Sequence, residues 1–145
     1  IMSLKDGSKK MSKSELSDLS RINLVDDKDQ IINKIKKAKT DPLAMPKDIK
    51  ELEGRPEAQN LLGIYTSLSN ASFESSLEKF AAKNFSEFKE QLSELLVDKL
   101  TPISEEIKRL ISDQSYLDSI LLDGVEKANK IASKKIKNIK EIVGF

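Results

Sequence analysis

Lys10-Met11-Ser12-Lys13-Ser14 is the stretch of this chain best equipped for chemistry. Two ammonium groups three positions apart can reach one polyphosphate. Lys9 adds a further charge, and the Ser12 and Ser14 hydroxyls add donors, as do backbone N–H groups in a turn. In a nucleotidyl transfer, such groups act best where negative charge grows on the departing pyrophosphate. The composition removes most rivals. With no Cys and no His, there is no thiolate or imidazole nucleophile pair and no usual zinc site. The acidic residues are scattered without metal-ligand spacing, so no protein-held metal is expected. A divalent ion would arrive with a nucleotide, held by its phosphates.

The chain that must position this loop has 145 residues, enough for one domain with a real core. Its net charge is only +1, so any nucleic-acid contact must come from a local patch. Only 3 of the 25 basic residues are Arg, which favours point-charge phosphate contact over bidentate base reading. No apolar run approaches a membrane span and no signal-peptide pattern opens the chain. A reducing, cytoplasmic setting without membrane contact is expected. The first residue is Ile1, so the chain is expected to begin inside a longer protein.

The periodicity predicts an all-α fold, an antiparallel helical bundle behind a non-helical leader that carries the loop. Residues 1–25 read as leader and linker, with a turn at Asp6-Gly7-Ser8 and a short extended piece at Arg21–Val25. Residues 26–145 read as the helical domain. Asp26-Asp27 opens a helix whose inner face is Ile31, Ile32, Ile35 and Ala38. Asp41-Pro42 stops it. A loop with one helical turn near Lys47–Leu52 leads to Pro56, the first turn of a helix that presents Leu61, Leu62, Tyr65 and Leu68. A short helix over 73–83 follows. Ser86 then caps a long helix to Ser112, with Pro102 inside it. The last helix starts near Ser115, with Asp118 completing a capping signal. It carries the stripe Val125, Ala128, Ala132, Ile136, Ile139 and Val143. The leader is expected to be mobile, because a charged loop without a sheet has little apolar surface to hold it.

Two Lys groups are candidate phosphate contacts. Lys127, Lys130, Lys134 and Lys137 share a face opposite the last apolar stripe and form the better candidate RNA surface. Lys34, Lys36, Lys37 and Lys39 crowd the end of the first helix, where the dipole favours cations in any case. The aromatic residues fall at core spacing among Leu and Ile, which favours packing over base stacking.

The residues flanking the loop extend its meaning. Ile1-Met2-Ser3-Leu4 precedes it, and Arg21-Ile22-Asn23-Leu24-Val25-Asp26-Asp27 follows. Beyond these come Ile35-Lys36-Lys37-Ala38-Lys39-Thr40-Asp41, Asn60-Leu61-Leu62-Gly63-Ile64-Tyr65 and Gly124-Val125-Glu126-Lys127-Ala128-Asn129. KMSKS is a signature of class I aminoacyl-tRNA synthetases, and this order resembles the bacterial-type tryptophanyl-tRNA synthetase family along the whole chain. The resemblance implies a tryptophan–tRNA ligase that works through an aminoacyl-adenylate, with MgATP, tryptophan and tRNA(Trp) as substrates. It implies that residues 10–14 close over ATP, with Lys13 and Lys10 as the catalytic pair. It also implies that Ile1 contacts adenine through its backbone, with Met2 beside the same base. The family is homodimeric and its helical domain binds the anticodon end of the tRNA. Its His-containing signature, its nucleotide-binding sheet and most of its dimer surface would precede Ile1. The piece alone is therefore expected to be monomeric and unable to activate tryptophan. The competing expectation is a stand-alone helical module that binds RNA or protein and carries KMSKS incidentally.

Overall fold

The computed structural model describes residues 1–144. The described residues form five α-helices and one small antiparallel sheet. The expectation of an all-α fold is therefore corrected. Strand β1 (Met2–Ser3) pairs with β2 (Asp6–Lys10), in the register Met2 to Lys10 and Ser3 to Asp6, with an irregularity between Met2 and Ser3. The reversal lies at Leu4-Lys5. Asp6-Gly7-Ser8, expected as a turn, lies in β2. The Asp6 carboxylate satisfies the local turn chemistry without bending the strand, accepting from the Ser8 N–H at 3.1 Å and the Ser8 hydroxyl at 2.6 Å.

Helix α1 (Lys28–Lys37) begins with a complete capping box. The Asp27 side chain accepts from the Gln30 N–H, and the Gln30 side chain accepts from the Asp27 N–H. Helix α2 (Pro56–Ser69) opens on Pro56 and ends where Asn70 adopts a left-handed conformation at φ 56°. Ser72 caps α3 (Phe73–Phe80). Helix α4 (Phe85–Ser112) contains Pro102, and the Asn84 side chain, not that of Ser86, accepts from an N–H of its first turn. Helix α5 (Gln114–Val143) is capped by Asp113, earlier than the signal read at Ser115 and Asp118.

The chain divides into two compact units, Ile1–Glu105 and Glu106–Phe145. The core lies wholly in the first. Ile31, Ile35, Leu61, Leu62, Leu92 and Leu96 are buried there around Phe80 and Phe88, whose rings meet edge to face at 4.8 Å. Tyr65 packs edge-on against Phe80 at the same distance. In the second unit α5 buries no residue. Val125, Ile136, Ile139 and Val143 of its stripe are all about half exposed. The core of the first unit draws on α1 to α4 and on Leu4 of the hairpin. Among the described residues no helix is long and apolar enough to cross a membrane.

Candidate functional site

The loop 10–14 leaves the sheet at Lys10, the last residue of β2, and returns through a 3-10 turn at Asp18–Ser20. Its incoming arm is fastened to the helices from several sides. The Asn60 carboxamide on α2 accepts from the Met2 N–H at 3.0 Å and donates back to the Met2 carbonyl at 3.2 Å. The Leu4 N–H donates to the Ser20 carbonyl at 2.9 Å, and the Lys39 N–H donates to the Leu4 carbonyl at 2.8 Å. Leu4 itself is buried in the core. Gly7 lies against the start of α2 so closely that a Cβ there would fall 2.5 Å from backbone atoms of Pro56 and Glu57. The sequence reads as a leader with little to hold it. The stem is instead held by one buried leucine, a close glycine contact and paired backbone groups.

The tip is different. Ser12, Lys13, Ser14, Glu15 and Leu16 are exposed, and the Ser12 and Ser14 hydroxyls lie 3.0 Å apart, bonded to each other. Among the described residues neither the Lys10 nor the Lys13 ammonium has an acidic partner within ion-pair distance. Lys9, read as part of the same charge cluster, is committed to Asp6 at 3.2 Å. That pair and the two Ser8 hydrogen bonds hold the Asp6 carboxyl down at about 2, the hydroxyl bond being the largest cause. Ile1 is exposed, and its carbonyl accepts from the Met11 N–H at 3.4 Å. The backbone thus brings Ile1 and Met2 beside Lys10 and Met11. A groove of about 450 Å³ opens between this corner and α2, lined by Ile1, Met2, Gly7, Pro56, Asn60 and Gly63, among others.

The outgoing arm holds residues that periodicity misreads. Lys34, grouped with the dipole-matched cations at the end of α1, is only 3% exposed. Its ammonium lies 2.6 Å from Asp26 Oδ2 and 2.6 Å from Asp18 Oδ2. The Lys34 hydrogen bond, followed by that from Asn23, holds the Asp18 carboxyl below its ordinary range. Nothing in the spacing of Lys34 separates it from Lys36 and Lys37. The one usable signal is that it is three residues from Ile31 and next to Ile35, on the buried face. Asn60 stands in the sequence only as part of a family-like string, with nothing to mark it as a residue holding the hairpin.

The other candidate surface is described by itself. Lys127, Lys130, Lys134 and Lys137 are all exposed on α5. Lys127 pairs with Asp123 at 2.6 Å and Lys137 lies 4.0 Å from Glu141. Lys130 and Lys134 have no acidic partner among the described residues within ion-pair distance. Such exposed pairs contribute little to stability and dissociate readily in favour of a polyanion.

A family model described as tRNA synthetases class I (W and Y) matches residues 1–101. Tryptophan–tRNA ligase of Brucella melitensis is 51% identical over all 145 residues, and that of Agrobacterium fabrum is 52% identical over the same span. The chain spans 41% of the length of each of these relatives. Among solved structures, tryptophanyl-tRNA synthetase from Campylobacter jejuni, crystallised with ADP and tryptophan, superposes with a TM-score of 0.78 at 27% identity. The match covers all of this chain and 43% of that one. The enzyme from Mycoplasma pneumoniae gives 0.72 at 26% identity, with the same coverage.

Proposed function

The chain belongs to the class I tRNA synthetases of the tryptophan and tyrosine family, in its bacterial tryptophanyl branch, and from that membership we propose that it is the ATP-loop and tRNA-binding part of a tryptophan–tRNA ligase. In the intact protein the tryptophan carboxylate attacks the α-phosphate of MgATP, giving tryptophanyl-adenylate and pyrophosphate. The tryptophanyl group then passes to tRNA(Trp), releasing AMP. The proposed setting is the cytoplasm, and the proposed assembly of the whole protein is a homodimer.

The observation that carries this reading is the state of the two loop cations. Lys10 and Lys13 stand on an anchored stem, yet neither ammonium is neutralised by a carboxylate among the described residues. An ammonium without a partner at the end of a fixed hairpin costs no broken ion pair when it meets an anion. Lys13 bears on the leaving pyrophosphate and Lys10 supports it, with Ser12 and Ser14 donating to phosphate oxygens. Ile1 and Met2, beside them in the hairpin, would flank adenine. The division of labour proposed is residues 1–25 for nucleotide and 26–145 for tRNA, with Lys127, Lys130, Lys134 and Lys137 meeting its phosphates. The alternative of a stand-alone module with an incidental KMSKS has no comparable support, since the family match includes the loop itself.

The experiment is amino-acid-dependent ATP–pyrophosphate exchange by the intact protein. Tryptophan is expected to support exchange and tyrosine to leave it at background. Exchange that follows tyrosine, or none with either amino acid, overturns the assignment.

A further inference from the structure

We propose that Lys34, acting through Asp18 and Arg21, is a positioning residue that fixes the outgoing shoulder of the 10–14 loop; the inference rests on the role given above to Lys13. A continuous polar chain runs from the buried face of α1 to the residue just beyond Ser14. The Lys34 ammonium binds Asp18 Oδ2 at 2.6 Å. Asp18 Oδ1 in turn receives the Asn23 side-chain amide at 2.9 Å and lies 3.2 Å from Arg21 Nη2. The other terminal nitrogen of Arg21 donates to the Glu15 carbonyl at 3.0 Å, while its Nε donates to Asn23 Oδ1 at 3.2 Å. Glu15 follows the motif directly, so the backbone at the end of the motif is tied to the helices through four side chains.

The distribution of burial says what this chain is for. Asp26 is buried beside Lys34, also at 2.6 Å, and by itself neutralises the ammonium. Asp26 is further held by the Asn23 N–H at 2.8 Å. The side chain of Asp18, by contrast, is 54% exposed. A second carboxylate is not needed to neutralise one lysine, and a half-hydrated one adds little to stability. What Asp18 adds is a connection. It is the member of the set that lies on the loop's return path, and when it is withdrawn the buried Lys34 ammonium keeps Asp26. Removing it should loosen the shoulder and spare the fold. A misplacement of about 1 Å in a charge-stabilising group costs up to a hundredfold in rate.

The test uses the intact ligase and a double-mutant cycle. Asp18→Ala is expected to slow single-turnover adenylate formation about tenfold, with the KM for tryptophan unchanged and the melting midpoint retained. Asp18→Glu, which keeps two acceptor oxygens for Lys34 and Arg21, should recover part of that loss. In a Lys13→Ala background Asp18→Ala should add no more than about a twofold further loss, because its effect passes through the group already removed. An Asp18→Ala rate within about twofold of the parent overturns the proposal, and so do losses that multiply. Lys13→Ala is read first. If that variant is itself near the parental rate, the role of Lys13 fails. A slow Asp18→Ala enzyme would then also refute a path through Lys13. A normal Lys13 loss with a silent Asp18 overturns the positioning chain alone.

Discussion

Replacing Gly7 with Ala tests how the hairpin is held. The new Cβ would lie 2.5 Å from the carbonyl carbon and oxygen of Pro56 and from the Glu57 nitrogen. All are backbone atoms at the start of a helix, so no side chain can swing away. Strand and helix must part by about 1 Å before the contact becomes ordinary. The Asn60 bonds to Met2 and the Lys39 bond to Leu4 oppose that movement. Overpacking of this kind costs about 1–3 kcal/mol, so the urea midpoint should fall by on the order of 1 M. Gly63, inside α2, is the matched control. A Cβ there meets nothing within 4 Å. Gly63→Ala should therefore stabilise by roughly 0.5–1 kcal/mol, through helix propensity and a less flexible unfolded chain. Because β2 ends at Lys10, Gly7→Ala should also slow adenylate formation in the intact protein. If the two variants melt alike, the packing of the hairpin on α2 is not what holds the loop.

Asn60→Ala removes both the acceptor and the donor that grip Met2 and should cost about 1–3 kcal/mol, measured by denaturation, since it leaves a half-buried N–H unpaired. Glu57 gives a pH signature. Its carboxyl is held below the ordinary range, first by the hydrogen bond from the Lys39 ammonium at 2.8 Å, and also by the Gly7 backbone N–H. A depressed folded value means that its stabilisation is complete above the ordinary carboxylate range and fades as pH falls through the depressed value. Melting profiles from about pH 7 to pH 3 should therefore converge for Glu57→Gln and the parent at the acid end. Separation that persists there would contradict the assignment. Neutralising Lys127, Lys130, Lys134 and Lys137 together should weaken tRNA binding and flatten its salt dependence, by roughly 0.7–0.9 in logarithmic slope for each tRNA phosphate that is no longer neutralised. An unchanged slope would remove α5 from the RNA surface.

The helices were legible because their cores repeat at the helical period. Ile31, Ile35, Leu61, Leu62 and Leu92 are buried as their spacing implies. The hairpin was not, because strands of two and five residues carry no alternating pattern long enough to register, and Asp6-Gly7-Ser8 has turn composition. Gly7 is needed for close approach to α2, and that reason lies 49 positions away in the chain. Lys34 was hidden by its neighbours. A lysine among lysines reads as surface until the carboxylates of Asp18 and Asp26 are seen to converge on it. The loop itself was plain from its residue types, whereas its anchors, Asn60 and Arg21, act through backbone carbonyls and N–H groups that no sequence pattern records.

Single-turnover adenylate formation by the intact protein, with Lys13→Ala set against the parent at saturating tryptophan, tests the central claim most directly. The uncommitted ammonium acts on charge that appears as pyrophosphate departs, so its removal should lower the rate by about two to three orders of magnitude while tryptophan affinity holds. A rate within a few-fold of the parent would contradict the account.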